Sequence, residues 1–460
     1  GWFLVRITLP RTIMSRQLHA RRVEGFDKNI WVEFTQLISD YKVVNLGQGF
    51  PDFGPPSFMQ EAYCNAICGG ASMHQYTRAF GYPRLVKIIA KFFGRIMGRE
   101  IDPMEEVLIT VGAYHALFCT FQALVDEGDE VIIVEPFFDC YEPMVMMAGG
   151  TPVYIPLKPK EVTGSALSSA DWLLCPEEVA SKFNPRTKAI VINTPNNPLG
   201  KVFQRDELQM IADLCIKHDV LCISDEVYEW LTYDGEHHIK IASLPGMWER
   251  TVTIGSAGKS FCATGWKVGW AMCSGHILKH LKTFHQNSVY HCPTAPQEAV
   301  AVGFQREYDV FGTEESYFRQ LPAQLHAKRL KLAKSLRSVG LQPILPQGGY
   351  FMTTDISSLK VELNDPDTKD EPYDYRFVKW LIKEKGLAAI PVSGFYSPEH
   401  RADFQNYIRF CFVKVILLMD IQNESEQYRE NYTCAFPHGL PDQDPPKHIA
   451  RTALFLTKVA

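Results

Sequence analysis

The chain has no long apolar run. Its longest late stretch, Val415 to Met419, is five residues, against the ~20 that a membrane-spanning helix needs, so no membrane partner is expected. It has no basic excess either. Lys and Arg number 47 against 52 Asp and Glu, a net charge of −5, and no polybasic run points to nucleic acid or an anionic membrane. The twelve cysteines form no dense framework. Cys119, Cys222, Cys273 and Cys411 sit in apolar stretches, which favours free thiols over disulfides. Cys64 and Cys68 are spaced to share a helical face, but no second Cys/His pair matches them, so no metal is expected.

What remains is ample material for a large core: 460 residues, 46% hydrophobic and 22% charged. The N-terminal stretch carries Arg6, Arg11, Arg16, Arg21 and Arg22 before its first acid, Glu24. That is the composition of a mitochondrial presequence. The alternative takes Met14 as the usual start, with residues 1–13 as leader; this reading is preferred, and with it a cytoplasmic location.

Through the middle, apolar strands alternate with helical patterns. Val107–Val111 leads into a helix from Ala113 to about Glu127. Val131–Val134 precedes a helical stretch after Phe138, and Val153–Ile155 follows. Lys188–Asn193 precedes a helix near Asp206–His218, and Leu221–Ser224 ends at Asp225. Such alternation predicts a mostly parallel sheet covered by helices, an α/β fold. Glu315 to Val339 reads as a long amphipathic helix. Shorter strands around Tyr350–Thr354 and Tyr407–Val413, with a helix near Tyr375–Glu384, suggest a second, smaller α+β unit.

Four motifs carry chemistry. In GSAGKSFCATGWKVGW, Gly255 to Trp270, Lys259 lies among small residues, which let a flat ring approach and leave the amine room to form an imine. Two rival readings fail on composition. A P-loop around Gly258–Ser260 needs glycine where Thr253 stands, and the S-x-x-K string at Ser256 lacks K-T-G and S-D-N companions. SDEVY, Ser224–Tyr228, puts Asp225 at a strand's carboxyl end, facing the crevice where α/β sheets bind ligands; a helix-capping Asp would look the same. NTPNNPLG, Asn193–Gly200, gives a rigid turn. TVGAYHAL, Thr110–Leu117, runs from strand to helix through Gly112, with free N–H groups suited to a phosphate.

Taken in chain order, phosphate turn, Asn-rich turn, strand-end Asp with Tyr and then Lys, the four motifs resemble fold-type I aminotransferases. NLGQGFPDFGPP (Asn45–Pro56), QYTRAFGYP (Gln75–Pro83) and EPFFDCYEP (Glu135–Pro143) narrow the resemblance to the kynurenine aminotransferase group, over about residues 15–414. The resemblance implies a seven-stranded, mostly parallel sheet in a large domain, plus a smaller domain from both chain ends. The implied divisions are an extension at 1–14, an arm at 15–60, the large domain at 61–320, the small domain at 321–414 and a divergent, poorly ordered tail at 415–460.

It also implies roles. Lys259 binds pyridoxal 5′-phosphate covalently and acts as the base. Asp225 faces the pyridine nitrogen, Tyr228 and Asn197 the phenolic oxygen, and Phe138 stacks on the ring. Ser256, Lys267 and the Gly112–Ala113 amides hold the phosphate, with Tyr76 reaching in from a second subunit. Arg409 grips the substrate α-carboxylate beside Gly49. Trp31, Tyr114, Tyr290 and His291 form an aromatic side-chain pocket. The implied activity is transamination of kynurenine, glutamine and aromatic or sulfur amino acids with 2-oxo acids, with cysteine-S-conjugate β-lyase activity beside it, in a homodimer. After Lys414 the resemblance stops. Loss of the family's final helix would leave apolar surface bare, which suggests a less stable chain and, as an alternative, a cofactor-binding but inactive isoform.

Overall fold

The computed structural model describes residues 18–26, 30–160, 167–359, 361–363 and 365–418. The expectation about the N-terminal extension falls outside these residues, as does the part of the divergent tail after residue 418, and the atypical tail is not borne out. Among the described residues no helix is long and apolar enough to cross a membrane.

Seven strands form the principal sheet. In chain order they are β1 (Val107–Val111), β2 (Glu130–Glu135), β3 (Thr151–Pro156), β4 (Thr187–Asn193), β5 (Leu221–Asp225), β6 (Thr251–Ser256) and β7 (Val268–Met272). Their spatial order is β1-β7-β6-β5-β4-β2-β3. Every pairing is parallel except the two made by β7, which runs against both β1 and β6. The near-continuous apolar character of β2 and β4 follows from burial on both faces. The two strands that flank the lysine motif, β6 and β7, are not evident from periodicity, because glycines and polar residues interrupt them.

Helix α1 (Gly112–Leu124) starts directly on the end of β1. Gly112 has φ +75°, a left-handed conformation that glycine adopts without strain. The helix stops at Leu124, three residues short of the sequence expectation, because Val125 is already extended before the turn at Asp126–Asp129. The helical expectation at Glu315–Val339 is met by α2 (Tyr317–Ser338). No helix follows Asp225: the segment Glu226–Trp230 is turns, so the helix-capping reading of that carboxylate is set aside.

A four-stranded antiparallel sheet lies in the C-terminal part, ordered Gln342–Pro343, Phe351–Asp355, Tyr407–Cys411, Ile390–Pro391. Helix α3 (Tyr373–Lys385) precedes its last strands and ends at Gly386, in the left-handed cap position. The N-terminal segment joins this unit. Val44–Asn45 pairs in parallel with Leu387–Ala388, and Cys411 N–H donates to Leu46 C=O at 2.6 Å. Residues from the N-terminal and C-terminal parts of the chain therefore meet in this second unit.

Candidate active site

The carboxyl ends of β1, β4, β5 and β6 open on one edge of the sheet, and the reversed β7 brings its amino end to the same edge. There lies a cavity of about 360 Å³ lined by Gly112, Asn193, Asp225, Ser256, Val268 and, from the C-terminal sheet, Arg409. Of the residues singled out from sequence, Trp31, Gly49, Ala113, Tyr114, Phe138, Asn197, Tyr228, Lys259 and Lys267 line it as well. It is a crevice at strand ends, where open α/β sheets bind ligands.

Lys259 follows β6 in a single turn of helix, Ala257–Ser260. Its Nζ donates to the Tyr350 hydroxyl at 2.8 Å and to Gly49 C=O at 3.2 Å. Burial, with the Arg409 cation nearby, lowers its pKa from 10.5 to about 8. The neutral amine therefore gains population as pH rises through 8. In cofactor-free protein, acylation of Lys259 should show a midpoint near pH 8, followed by peptide mass spectrometry; a midpoint above 10 would contradict the burial argument. The P-loop reading fails on geometry too, because the Ser260 hydroxyl donates to Ser256 C=O at 3.0 Å and is not free for a phosphate or metal.

Asp225 is buried at the end of β5. Its Oδ2 accepts from the Tyr141 hydroxyl at 2.6 Å, and its Oδ1 from Val227 N–H at 3.3 Å. Burial raises its pKa to about 6, against the pull of the Tyr141 hydrogen bond. Such a carboxylate is stabilised by any cationic N–H brought into the cavity. Asn193 and Asn197 fix the neighbouring turn: Asn193 Nδ2 donates to Asp225 C=O at 3.0 Å, and Asn193 Oδ1 accepts from Asn197 N–H at 2.7 Å.

Arg409, on strand Tyr407–Cys411, has no solvent exposure. Its NH1 donates to Asn197 Oδ1 and its NH2 to Gly47 C=O, both at 2.8 Å, while its Nε–H has no partner. Burial lowers its pKa to about 10, so at neutral pH it is a buried cation. Among the described residues no carboxylate forms an ion pair with it. Phe351 lies under the guanidinium at 3.9 Å, with Phe395 and Trp31 at 5.1 and 5.3 Å. Trp31 is held in turn by an Nε1–H bond to Asp139 Oδ2 at 2.9 Å.

The opposite end of the cavity is shaped for an anion. Gly112 and Ala113 offer the first N–H groups of α1. Ser256 and Lys267 stand beside them. A side chain on Gly112 would begin 3.2 Å from Lys267 Nζ, and one on Gly269 would begin 2.4 Å from Ala113 N, so both positions are kept bare by close approach. Between the two cationic ends, Phe138 and Asp225 bound a slot for a flat ring. This donor set fits an aromatic cofactor that carries a phosphate, a basic ring nitrogen and an amine-reactive carbon.

Three expected residues stand apart. Tyr76, Tyr290 and His291 do not line this cavity within one chain. They pack on each other, Tyr76 to His291 at 4.6 Å and to Tyr290 at 6.0 Å between ring centres, and Tyr76 is 80% exposed. Within one chain Tyr290 and His291 therefore do not join Trp31 and Tyr114. Conversely, Tyr141, Asp139, Tyr350 and Phe351 belong to the site and were not singled out. The pair Gly348–Gly349 before Tyr350 was an available turn signal. Among the described residues, Glu226, Glu229 and His238 could gather around a metal. Lys240 already supplies the cation there, donating to Glu226 at 2.7 Å and also to Glu229.

A seven-stranded α/β sheet with a lysine, a strand-end carboxylate and an anion-binding helix start on one crevice defines a fold-type I transferase. The chain belongs to the aminotransferase class I and II family, whose model matches residues 41–415, and it is an enzyme of that family. It is similar to kynurenine–oxoglutarate transaminase 1 of Homo sapiens, with 62% identity over 87% of this chain and 96% of the relative. Kynurenine–oxoglutarate transaminase 3 of Homo sapiens is 54% identical over 88% and 89%. The crystal structure of Bna3p from Saccharomyces cerevisiae superposes with a TM-score of 0.81 at 32% identity, covering 87% of this chain and 96% of that one.

Proposed function

We propose that this aminotransferase uses pyridoxal 5′-phosphate and transfers the amino group of kynurenine, glutamine and aromatic or sulfur amino acids to 2-oxo acids. The observation that carries the reading is Arg409: a buried guanidinium whose nearest partners are neutral oxygens, in the same cavity as Lys259 and Asp225. A buried cation so placed is completed by a carboxylate. The names of the most similar relatives support kynurenine as amino donor.

When bound, the cofactor supplies an electrophilic aldehyde and an electron-withdrawing ring that stabilises negative charge at a substrate Cα. Lys259 holds it covalently, and its released amine carries the proton away from Cα. Asp225 pairs with the protonated ring nitrogen, and Tyr141 keeps that carboxylate oriented. Tyr228 and Asn197 donate to the phenolic oxygen; Asn197 keeps its Nδ2 for this, since its Oδ1 is taken by Arg409. Phe138 covers the ring face. Ser256, Lys267 and the Gly112–Ala113 amides hold the phosphate. Arg409 orients the substrate carboxylate beside Gly49, while Trp31 and Tyr114 meet its side chain. Where Cβ bears a good sulfur leaving group, the same Cα deprotonation leads to β-elimination. Two copies of the chain complete each site, with Tyr76 from a second copy reaching the phosphate and Tyr290 and His291 closing the side-chain pocket; the exposed aromatic cluster supports this.

The test is spectroscopic. Cofactor-loaded protein should show a visible absorbance that L-kynurenine or L-glutamine bleaches and a 2-oxo acid restores. A band indifferent to all the amino acids named would sink the reading.

A further inference from the structure

Lys259 leaves the cofactor during each turnover, and a free lysine side chain has four rotatable carbons' worth of freedom. A base that wanders is a poor base, because proton transfer needs donor and acceptor aligned at about 3 Å. Something must hold the amine while it is free. In the structure the amine lies 2.8 Å from the Tyr350 hydroxyl and 3.2 Å from Gly49 C=O.

The Tyr350 hydroxyl stands among three groups, Lys259 Nζ, Gly49 C=O and the Tyr228 hydroxyl. Gly49 C=O can only accept. Tyr350 is buried, 2% exposed, and burial, then the adjacent Tyr228, push its phenol well above the ordinary value, so it stays protonated. Its single O–H has Gly49 C=O as an acceptor at 2.8 Å, while Tyr228 pairs with the same hydroxyl. The hydroxyl oxygen is thus left as an acceptor toward Lys259. A neutral amine has two N–H bonds and one lone pair. Gly49 and Tyr350 take one N–H each. The lone pair is the only feature of the nitrogen without a wall partner, and it is left to the cavity that Lys259 lines.

The scaffold around Tyr350 is built to keep this arrangement. Gly349, at φ +72°, turns the chain into the strand Phe351–Asp355, and its N–H donates to Leu231 C=O at 2.9 Å. The Tyr233 hydroxyl donates to Gly349 C=O at 2.6 Å. The Tyr350 ring meets Tyr228 edge-on at 5.0 Å. The Tyr350 ring and the backbone before it are therefore held in place.

We propose that Tyr350 is a positioning residue for the reaction: with Gly49 C=O it anchors both N–H bonds of the released Lys259 amine and so aims the lone pair at the substrate Cα proton. In that step the amine's electron pair takes the Cα proton, the C–H electron pair stays on the cofactor-bound substrate, and the ammonium formed later returns the proton. Tyr350 itself exchanges no proton. The inference rests on Lys259 being the base, as set out under the proposed function.

Tyr350→Phe keeps the ring packing and deletes the hydroxyl, which is both the acceptor for Lys259 and the donor to Gly49 C=O. Its kcat for transamination should fall about tenfold with KM for the amino acid changed less than about twofold, since alignment and not substrate binding is lost. The kinetic isotope effect with α-deuterated amino acid should rise, because proton transfer becomes slower relative to the other steps. In cofactor-free protein, acylation of Lys259 at pH 8 should slow about fivefold, since a lone pair with a fixed direction is also the better nucleophile. Wild-type kcat, isotope effect and acylation rate in the variant would overturn the proposal, as would a raised KM with kcat unchanged. The acylation arm stands apart from the proposed activity: if the unaltered chain transaminates nothing, that reading fails, while slowed acylation in the variant still reports the amine's orientation.

Discussion

Lys259→Ala is expected to lower kcat/KM for transamination by at least about 10⁴-fold, because one substitution removes both the covalent anchor and the base. The loss should appear first in the spectrum. Borohydride treatment of cofactor-loaded protein should label the peptide Gly255–Trp270 in the unaltered chain and leave it unlabelled in the variant. The fold should survive. The lysine stands in a single helical turn, and its Nζ bonds two acceptors, Tyr350 and Gly49 C=O, that also bond each other. Alanine leaves that pair intact and removes an amine that burial already disfavours as a cation. Circular dichroism of the cofactor-free forms should therefore coincide. A variant that keeps a hundredth of the activity, or a labelled peptide elsewhere in the chain, would assign the chemistry to a different amine.

Arg409→Lys is the second large effect, and it distinguishes geometry from charge. Lysine keeps the positive charge but presents one point donor in place of a planar fork. In the structure the fork is already divided: NH1 holds Asn197 and NH2 holds Gly47 C=O, with Nε free. An ammonium cannot hold both oxygens and a substrate carboxylate in one plane. Leaving buried polar groups unmatched costs about 4 kcal/mol, or roughly 10³-fold in kcat/KM for an amino acid. The loss should be specific to the carboxylate. Phenylalanine should be handled roughly 10³-fold worse than by the unaltered chain, whereas phenethylamine, which lacks the carboxylate, should change little. Equal losses for the two amines would place Arg409 outside the substrate site.

Much of the site was legible because its chemistry sits at strand ends. Asp225 closes an apolar run, Asn193 and Asn197 follow another, and Gly112 marks the strand-to-helix passage. Each carries a local signal that survives without coordinates. Arg409 was legible for a different reason: a cation in an apolar strand demands a partner. What escaped is what depends on distant pairing. Tyr141 reaches Asp225 across 84 positions, Trp31 reaches Asp139 across 108, and Lys259 reaches Tyr350 across 91; nothing near any of these residues announces its partner. The reversal of β7 was equally hidden, since an interrupted strand of five residues carries no sign of its direction. Tyr76, Tyr290 and His291 were picked out by family resemblance, and a single chain does not gather them with the others.

The rings around Arg409 come from three separate stretches: Trp31 near the amino terminus, and Phe351 and Phe395 from the C-terminal unit. They act as insulation. The pull between a cation and an anion about 4 Å apart is roughly 1 kcal/mol in bulk water and about four times that in a protein-like medium. Trp31 sits in the helix Ile30–Tyr41, and whatever draws that helix away, such as a proteolytic clip ahead of the sheet, would let water wet the guanidinium. The grip on a carboxylate would then slacken although no contacting atom had been altered.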